Sequence, residues 1–229
     1  MIEVRDLWKR YPGIWGLQDV SLQFGLGRVV GVLGENGSGK SSMFRILAGV
    51  SRPTRGEATV DGERVGVKTK GVTSYLPEVD PFYTWMTIER QLTFLSSFYD
   101  GWDDAKAGDL LDLMKLDRAQ KVGDLSRGQR GRLKVVAAFA RPSRLVIMDE
   151  PLSGIDPPSR KRILEGVFGE FRFEEQTILI STHIVSEVEA YIDDVVFLRK
   201  GEAVLQGNAD ELREEKQGSL SDIFEEVVQ

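Results

Sequence analysis

The apolar positions of this chain follow two rhythms that alternate along its length. Near the start they alternate with polar ones: Ile2, Val4 and Leu7 stand among Glu3, Arg5 and Asp6, and Val20, Leu22 and Phe24 among Ser21 and Gln23, predicting half-buried strands. Gly25 and Gly27 turn the chain into Val29-Val30-Gly31-Val32-Leu33, whose unbroken apolar run predicts a strand buried on both faces. A helix is expected from about Lys40 to Leu47, closed by Gly49. Gly56 to Val60 with the Asp61-Gly62 turn predicts a hairpin, and Thr73 to Leu76 a short strand stopped by Pro77. From about Met86 to Leu116 the spacing becomes helical, through Ile88, Leu92 and Leu95 and then Leu110, Leu111, Leu113 and Met114. Asp100-Gly101-Trp102-Asp103-Asp104 divides that stretch, its last acidic residues suiting a helix N-terminus.

Beyond it the reading gives a helix over Ser126 to Ala140, a strand over Leu145 to Met148, and a helix from Pro157 to about Phe168. A strand over Thr177 to Ser181, a helix over His183 to Tyr191 and a final core strand over Val195 to Leu198 follow. Glu211 to Gln229, charged with scattered apolar residues, is expected to be a surface helical tail. Strand and helix alternate, so the fold class is α/β, with a largely parallel sheet covered on both faces. A small antiparallel β portion is expected near the start, and an inserted helical lobe in the middle. No internal repeat, low-complexity tract or flexible linker interrupts the pattern.

Composition narrows the chemistry. At 229 residues the chain can hold one sizeable core. No window approaches the roughly 18 to 20 apolar residues that cross a bilayer. Glu3, Arg5 and Asp6 argue against a signal peptide, so direct membrane insertion is not expected. Cys is absent and His183 is the single histidine, which excludes disulfides, thiolate metal sites and multi-histidine metal sites. A net charge of −6 argues against nucleic acid as a partner.

The strongest local signal is Gly34-Glu35-Asn36-Gly37-Ser38-Gly39-Lys40-Ser41, a Gly, four free positions, then Gly-Lys-Ser, directly after a predicted buried strand. Its glycines let successive N–H groups converge on an anion, and the following helix aims its positive end there. In such a P-loop Lys40 reaches the β- and γ-phosphates and the Ser41 hydroxyl ligates Mg²⁺, with Asn36, Gly37, Ser38, Gly39 and Ser42 lining the phosphate path. A second signal is Asp149-Glu150 at the carboxyl end of the strand Leu145 to Met148, the edge where parallel sheets bind ligands. Asp149 can hold Mg²⁺ and Glu150 can polarise a water for in-line attack on a γ-phosphate.

With these stand Leu125-Ser126-Arg127-Gly128-Gln129, Ser153-Gly154-Ile155-Asp156 and Thr182-His183. In that order, and over nearly the whole chain, the sequence resembles the ATP-binding subunit of an ABC transporter. The resemblance implies a P-loop NTPase core in a single ATPase domain over 1–229, with the nucleotide-binding core at about 1–85 and 141–229 and the helical signature lobe at 86–140. It implies ATP and Mg²⁺ as ligands. It also implies a head-to-tail dimer of ATPase subunits, expected as a homodimer, in which Ser126, Gly128 and Gln129 of one subunit close over ATP held by the other. His183 then contacts the γ-phosphate and helps hold the attacking water, making Lys40, Glu150 and His183 the catalytic set. Tyr11 takes the place of the aromatic that stacks on adenine, in competition with Trp8 and Trp15. Integral membrane permease subunits encoded elsewhere are the further partners, which places the chain in the cytoplasm on the inner face of the cell membrane.

Two positions depart from the family pattern. Glu78, in Tyr75-Leu76-Pro77-Glu78, replaces a Gln that ligates Mg²⁺ and senses the transporter; a carboxylate can still reach the metal. Arg127 replaces a glycine and is read as a solvated side chain rather than a cation beside the site. The basic run Arg127, Arg130, Arg132 and Lys134 is likewise read as a solvated helix face. Ser126 and Asp156 also fit ordinary helix caps. The aromatic stretch with Pro81, Phe82, Tyr83 and Trp85 fits either a membrane-subunit interface or packing between lobe and core. The Tyr-Leu-Pro-Glu string, Pro-Leu-Ser-Gly-Ile-Asp-Pro and the tail Ser219 to Phe224 look most like the exporter branch handling antimicrobial peptides, toxins or polymers, the ABC-2-type group. The rival reading is a soluble ATP-switched regulatory or assembly factor without a membrane partner.

Overall fold

A computed structural model describes residues 1–228. Strands β1 (Ile2–Tyr11) and β2 (Ile14–Phe24) form a long hairpin and lead into β3 (Val29–Leu33) and helix α1 (Lys40–Leu47). Then come β4 (Arg55–Val60), β5 (Glu63–Arg64), α2 (Val67–Lys70) and β6 (Thr73–Leu76). Helices α3 (Ile88–Ser96), α4 (Asp104–Leu113) and α5 (Arg127–Phe139) separate β6 from β7 (Leu145–Asp149). The chain continues through α6 (Pro157–Glu170), β8 (Thr177–Thr182), β9 (Asp194–Arg199), β10 (Glu202–Asn208), α7 (Ala209–Lys216) and α8 (Leu220–Val228). No helix among the described residues is long and apolar enough to cross a membrane.

A six-stranded sheet in the order β10-β9-β3-β8-β7-β6 is parallel except for β10, and a four-stranded antiparallel sheet runs β2-β1-β4-β5. Because side chains alternate along a strand, the buried strands feed two cores. Val30, Val32, Ile147, Leu179 and Val196 join Phe44, Leu47 and the antiparallel sheet on one side. Val29, Leu33, Val146, Met148, Ile178 and Phe197 join Leu133, Val136, Ile163 and Val167 of α5 and α6 on the other. That second core runs on without a break into Ile88, Leu92, Leu110 and Leu111, so the inserted helices share it. Their starts are locally encoded. Asp103 caps α4 by accepting from Lys106 N, and Asp156 caps α6 by accepting from Ser159 N, with Pro157 supplying a helix-ready φ.

Two expectations are corrected and one edge strand is added. Residues 183–191 do not form an α-helix; Val185–Glu187 and Glu189–Tyr191 are single 3-10 turns. Val185 and Val188 are both buried in the larger core, and Val188, at φ −118°, interrupts the helical run between the two turns. Tyr191 also stacks on Phe168 with ring centroids 4.0 Å apart. The last core strand is followed by β10, joined through Lys200 and Gly201, both at positive φ (51° and 87°), which makes a tight hairpin. The C-terminal segment is helical but no surface tail: Leu212, Leu220 and Ile223 are buried in the larger core, and Phe224 stacks on Phe197.

Gly56 shows where backbone freedom is required. It sits at φ +76°, and a Cβ there would lie 2.0 Å from the Asp6 carbonyl oxygen, at the irregular register of β1 against β4. Gly13 has the same φ sign, +77°, in open space. Gly56→Ala is therefore expected to cost about 3 kcal/mol and Gly13→Ala about 1 kcal/mol in urea unfolding, since only the first adds a backbone collision to the left-handed strain.

Candidate nucleotide site

Strand β3 delivers the chain to a loop folded on itself around one amine. Lys40, the first residue of α1, is 4% exposed. Its Nζ donates to Gly34 O at 2.6 Å and Glu35 O at 3.0 Å. Gly39 (φ +113°) has no room for a side chain, because a Cβ there would meet Gly16 O at 2.5 Å. Helix α1 has no side-chain cap and no acidic residue in its first turn, so its leading N–H groups and positive end are left for an anion. Asn36 and Gly37 are exposed, while Ser38 is buried with its Oγ lacking a hydrogen-bond partner among the described residues. Tyr11 and Ser42 converge over Gly16: a Cβ there would lie 2.8 Å from the Tyr11 ring and 2.9 Å from Ser42 Oγ. Trp8 and Trp15 are instead packed edge to face on each other at 5.4 Å.

The carboxylates arrive from β7. Asp149 is 1% exposed. Its Oδ1 accepts from Ser41 Oγ at 3.0 Å and from Ser181 Oγ at 2.9 Å, and its Oδ2 from the Tyr75 hydroxyl at 3.4 Å. Glu150 follows with φ +47°, a strained backbone for a side-chain-bearing residue, and its N–H donates to Ser181 Oγ at 2.9 Å. Its two oxygens are divided. Oε2 lies 2.7 Å from His183 Nδ1, which as the partner of a carboxylate is the donor, leaving Nε2 at the far side of the half-exposed ring. Oε1 is buried 3.4 Å from Lys40 Nζ with no hydrogen bond of its own among the described residues.

Tyr75 and Ser181 are site neighbours that the sequence reading did not single out. Ser181 carries a weak signal, as a hydroxyl directly after the apolar run Ile178 to Ile180, but its meaning depends on the Asp149↔Ser181 pairing of β7 with β8. Burial, and after it the Asp149 charge, push the Tyr75 phenol up to about 12, against the nearby Arg45. Folding thus disfavours the phenolate. The associated stability is intact below the ordinary value of 10.0 and falls as pH climbs through about 12. Spectrophotometric titration should accordingly find one of the five tyrosines ionising late, and Tyr75→Phe should remove that step.

Glu78 is exposed and lines a cleft of about 250 Å³ with Asn36, Gly37, Lys40, Ser41, Ser42 and Glu150. The Ser41 hydroxyl and the Asp149 and Glu78 carboxylates are hard oxygen donors, the set that Mg²⁺ prefers beside phosphate. Ser126, Gly128 and Gln129 are not part of this cleft. Ser126 and Gln129 cap α5 reciprocally, through Gln129 N to Ser126 Oγ at 3.2 Å and Ser126 N to Gln129 Oε1 at 2.9 Å. Gly128 is required by its own chain: a Cβ would lie 2.6 Å from Ser159 Oγ and 2.8 Å from Asp156 Oδ1, so α5 rests directly on the start of α6.

The basic run is not a solvated face. Arg132 is 8% exposed and holds Met114 O, at 2.5 Å, and Gly128 O. Arg130 and Lys134 are bonded to the loop after β6. Only Arg127 is exposed, over Gly154. Carbonyl oxygens facing α5 from three segments account for the difference, which helical spacing alone does not reveal.

A family model described as "ABC transporter" matches residues 17–153. The chain is 32% identical over 217 residues to the ABC transporter ATP-binding protein YtrB of Bacillus subtilis (strain 168), covering 94% of this chain and 74% of the relative. To the ABC transporter ATP-binding protein NatA of the same organism it is 31% identical over 245 residues, covering 98% and 96%. A solved structure of an ATP-binding subunit of an ABC transporter superposes with a TM-score of 0.88 at 29% identity over 99% of both chains. A dimeric ATP-binding cassette in a post-hydrolysis state, bound to ADP and Pi, shares the fold, with a TM-score of 0.82 at 21% identity over 91% of this chain and 98% of that one. Loop, carboxylates and family match agree, and the chain belongs to the ABC transporter family as an ATP-binding subunit, an ATPase of the P-loop class.

Proposed function

We propose that this chain supplies the energy for an exporter, pairing head to tail with a second copy around two ATP molecules and acting through separate membrane subunits. The observation that carries the chemistry is Glu150, whose oxygens are divided between Lys40 and His183 at the edge of the parallel sheet. Lys40 and the free N–H groups of α1 bind the β- and γ-phosphates, trading the carbonyl contacts of the closed loop for stronger charge-assisted ones. Glu150 Oε1, without a hydrogen bond, accepts a proton from the attacking water; His183 steadies the carboxylate through Nδ1–H, and its Nε2, an acceptor in that tautomer, holds a hydrogen of the attacking water beside the γ-phosphate. Ser41, Asp149 and Glu78 hold Mg²⁺, which when bound neutralises charge on the phosphates. Tyr11, beside Ser42, stacks on adenine. Ser126, Gly128 and Gln129 meet the partner's nucleotide, and Asp156 lies at the seam between subunits.

The division into a core at 1–85 and 141–229 and a signature lobe at 86–140 belongs to the same reading. Export is supported by the sequence resemblance of the Tyr-Leu-Pro-Glu string, the Pro-Leu-Ser-Gly-Ile-Asp-Pro segment and the tail. A membrane partner, and with it a place on the cytoplasmic face, is favoured over a free regulatory factor by one surface feature. Trp85, Tyr83, Phe94 and Phe98 touch in that series, with centroids 5.0 to 5.9 Å apart, and are exposed by 65%, 48%, 37% and 65%. Connected exposed aromatics mark an interface. The test is to tag the protein in its native cells, solubilise membranes in mild detergent and identify what co-purifies. A stoichiometric multi-span protein is expected, and recovery only from the soluble fraction would move the function to the regulatory reading.

A further inference from the structure

Helix α5 turns two cations, Arg130 and Lys134, toward the segment after β6. Lys134 Nζ donates to Pro77 O at 2.7 Å and to Glu78 O at 2.8 Å. Arg130 Nη1 donates to Asp80 Oδ2 at 3.2 Å, while its other nitrogens hold Leu125 O at 3.2 Å and Gly123 O at 3.1 Å. Residues four apart share one helix face, so a single face of α5 grips residues 77–80 at three points. Carbonyls of two successive peptides drawn to one ammonium fix the planes on either side of the Glu78 Cα. With them they fix the direction in which its side chain leaves the backbone. Glu78 in turn lines the cleft with Lys40, Ser41 and Glu150.

We propose that Lys134, assisted by Arg130, is a positioning residue that clamps the Glu78 segment to helix α5, so that Glu78 takes its place in the nucleotide cleft from the helix that carries Ser126, Gly128 and Gln129. The consequence for catalysis rests on the ATPase reading above. Ser126, the N-cap of α5, lies about 12 Å along the helix axis from Lys134. A displacement imposed there by a partner's nucleotide therefore reaches Glu78 in the chain's own cleft through one rigid element, and this couples the two sites of the dimer.

Hydrogen exchange on the nucleotide-free protein tests the clamp without relying on activity. In Lys134→Met, residues 76–82 are expected to exchange about tenfold faster, the effect of losing two charge-assisted bonds, with β7 and β8 unchanged. Lys134→Arg, which can still donate to both carbonyls, should stay near wild type. Equal exchange in Lys134→Met and wild type would overturn the clamp. A second readout tests its consequence: Lys134→Met should need about tenfold more Mg²⁺ for half-maximal turnover while its ATP affinity without Mg²⁺ is unchanged. An unaltered Mg²⁺ requirement would overturn the positioning of Glu78. If wild type neither binds nor hydrolyses ATP, the ATPase reading fails, and the exchange comparison still decides the clamp. Should Lys134→Met not fold, Arg130→Met and Asp80→Asn are expected to loosen the same segment, and equal protection in both would overturn the proposal.

Discussion

Glu150→Gln is expected to bind ATP at least as tightly as wild type and to turn it over about 10²- to 10⁴-fold more slowly, the range for loss of a positioned general base. The amide keeps the shape and one oxygen to accept from His183 Nδ1, as Glu150 Oε2 now does at 2.7 Å. It cannot take up a proton at the position of Oε1, and removing a negative charge from the cleft leaves the γ-phosphate more comfortable there, not less. On the function proposed above, in which bound nucleotide favours closure and hydrolysis reverses it, ATP should then accumulate in a closed dimer. Sedimentation with and without ATP, beside a phosphate-release assay, checks both halves. Near-normal hydrolysis would remove Glu150 from the mechanism.

Lys40→Ala is expected to lose about 100-fold or more in ATP affinity, about 3 kcal/mol, because a central charge on the phosphates disappears. It also acts on the empty protein. The Lys40 amine ties Gly34 O and Glu35 O together and is the cation beside buried Glu150. Its removal leaves a buried carboxylate with one partner fewer, so the nucleotide-free protein should lose about 1–3 kcal/mol of stability as well. Calorimetric titration and urea unfolding separate the two effects. Unchanged ATP affinity would contradict the phosphate role. Unchanged stability would show that the loop and Glu150 re-pair with water.

Much of the nucleotide cleft was legible before any coordinates because its parts are contiguous. Strand, glycine loop and helix occupy residues 29–47 in one run, and Asp149-Glu150 directly ends an apolar strand. Their positions follow from local conformation. The caps of α4, α5 and α6 were legible for the same reason: Asp103, Ser126 and Asp156 bond within three residues of themselves. Burial of α8 and the 3-10 turns after His183 were not, since both are decided by the surfaces those segments meet.

Residue types and spacing alone thus determined the P-loop, the carboxylate pair and the alternation of strand and helix, while the family came from the resemblance of the motif series. Tertiary structure decided what touches what. Ser181 reaches both Asp149 and Glu150 because β7 and β8 are parallel neighbours in one register, across 32 and 31 residues of sequence. His183 meets Glu150 from the end of the same strand. Arg130 and Lys134 became part of the site's support rather than its solvated exterior because the loop after β6 lays its carbonyls and Asp80 across α5. Such contacts join groups distant in the chain. Their existence depends on strand order and on which buried polar atoms must be satisfied, and neither is encoded in a local pattern.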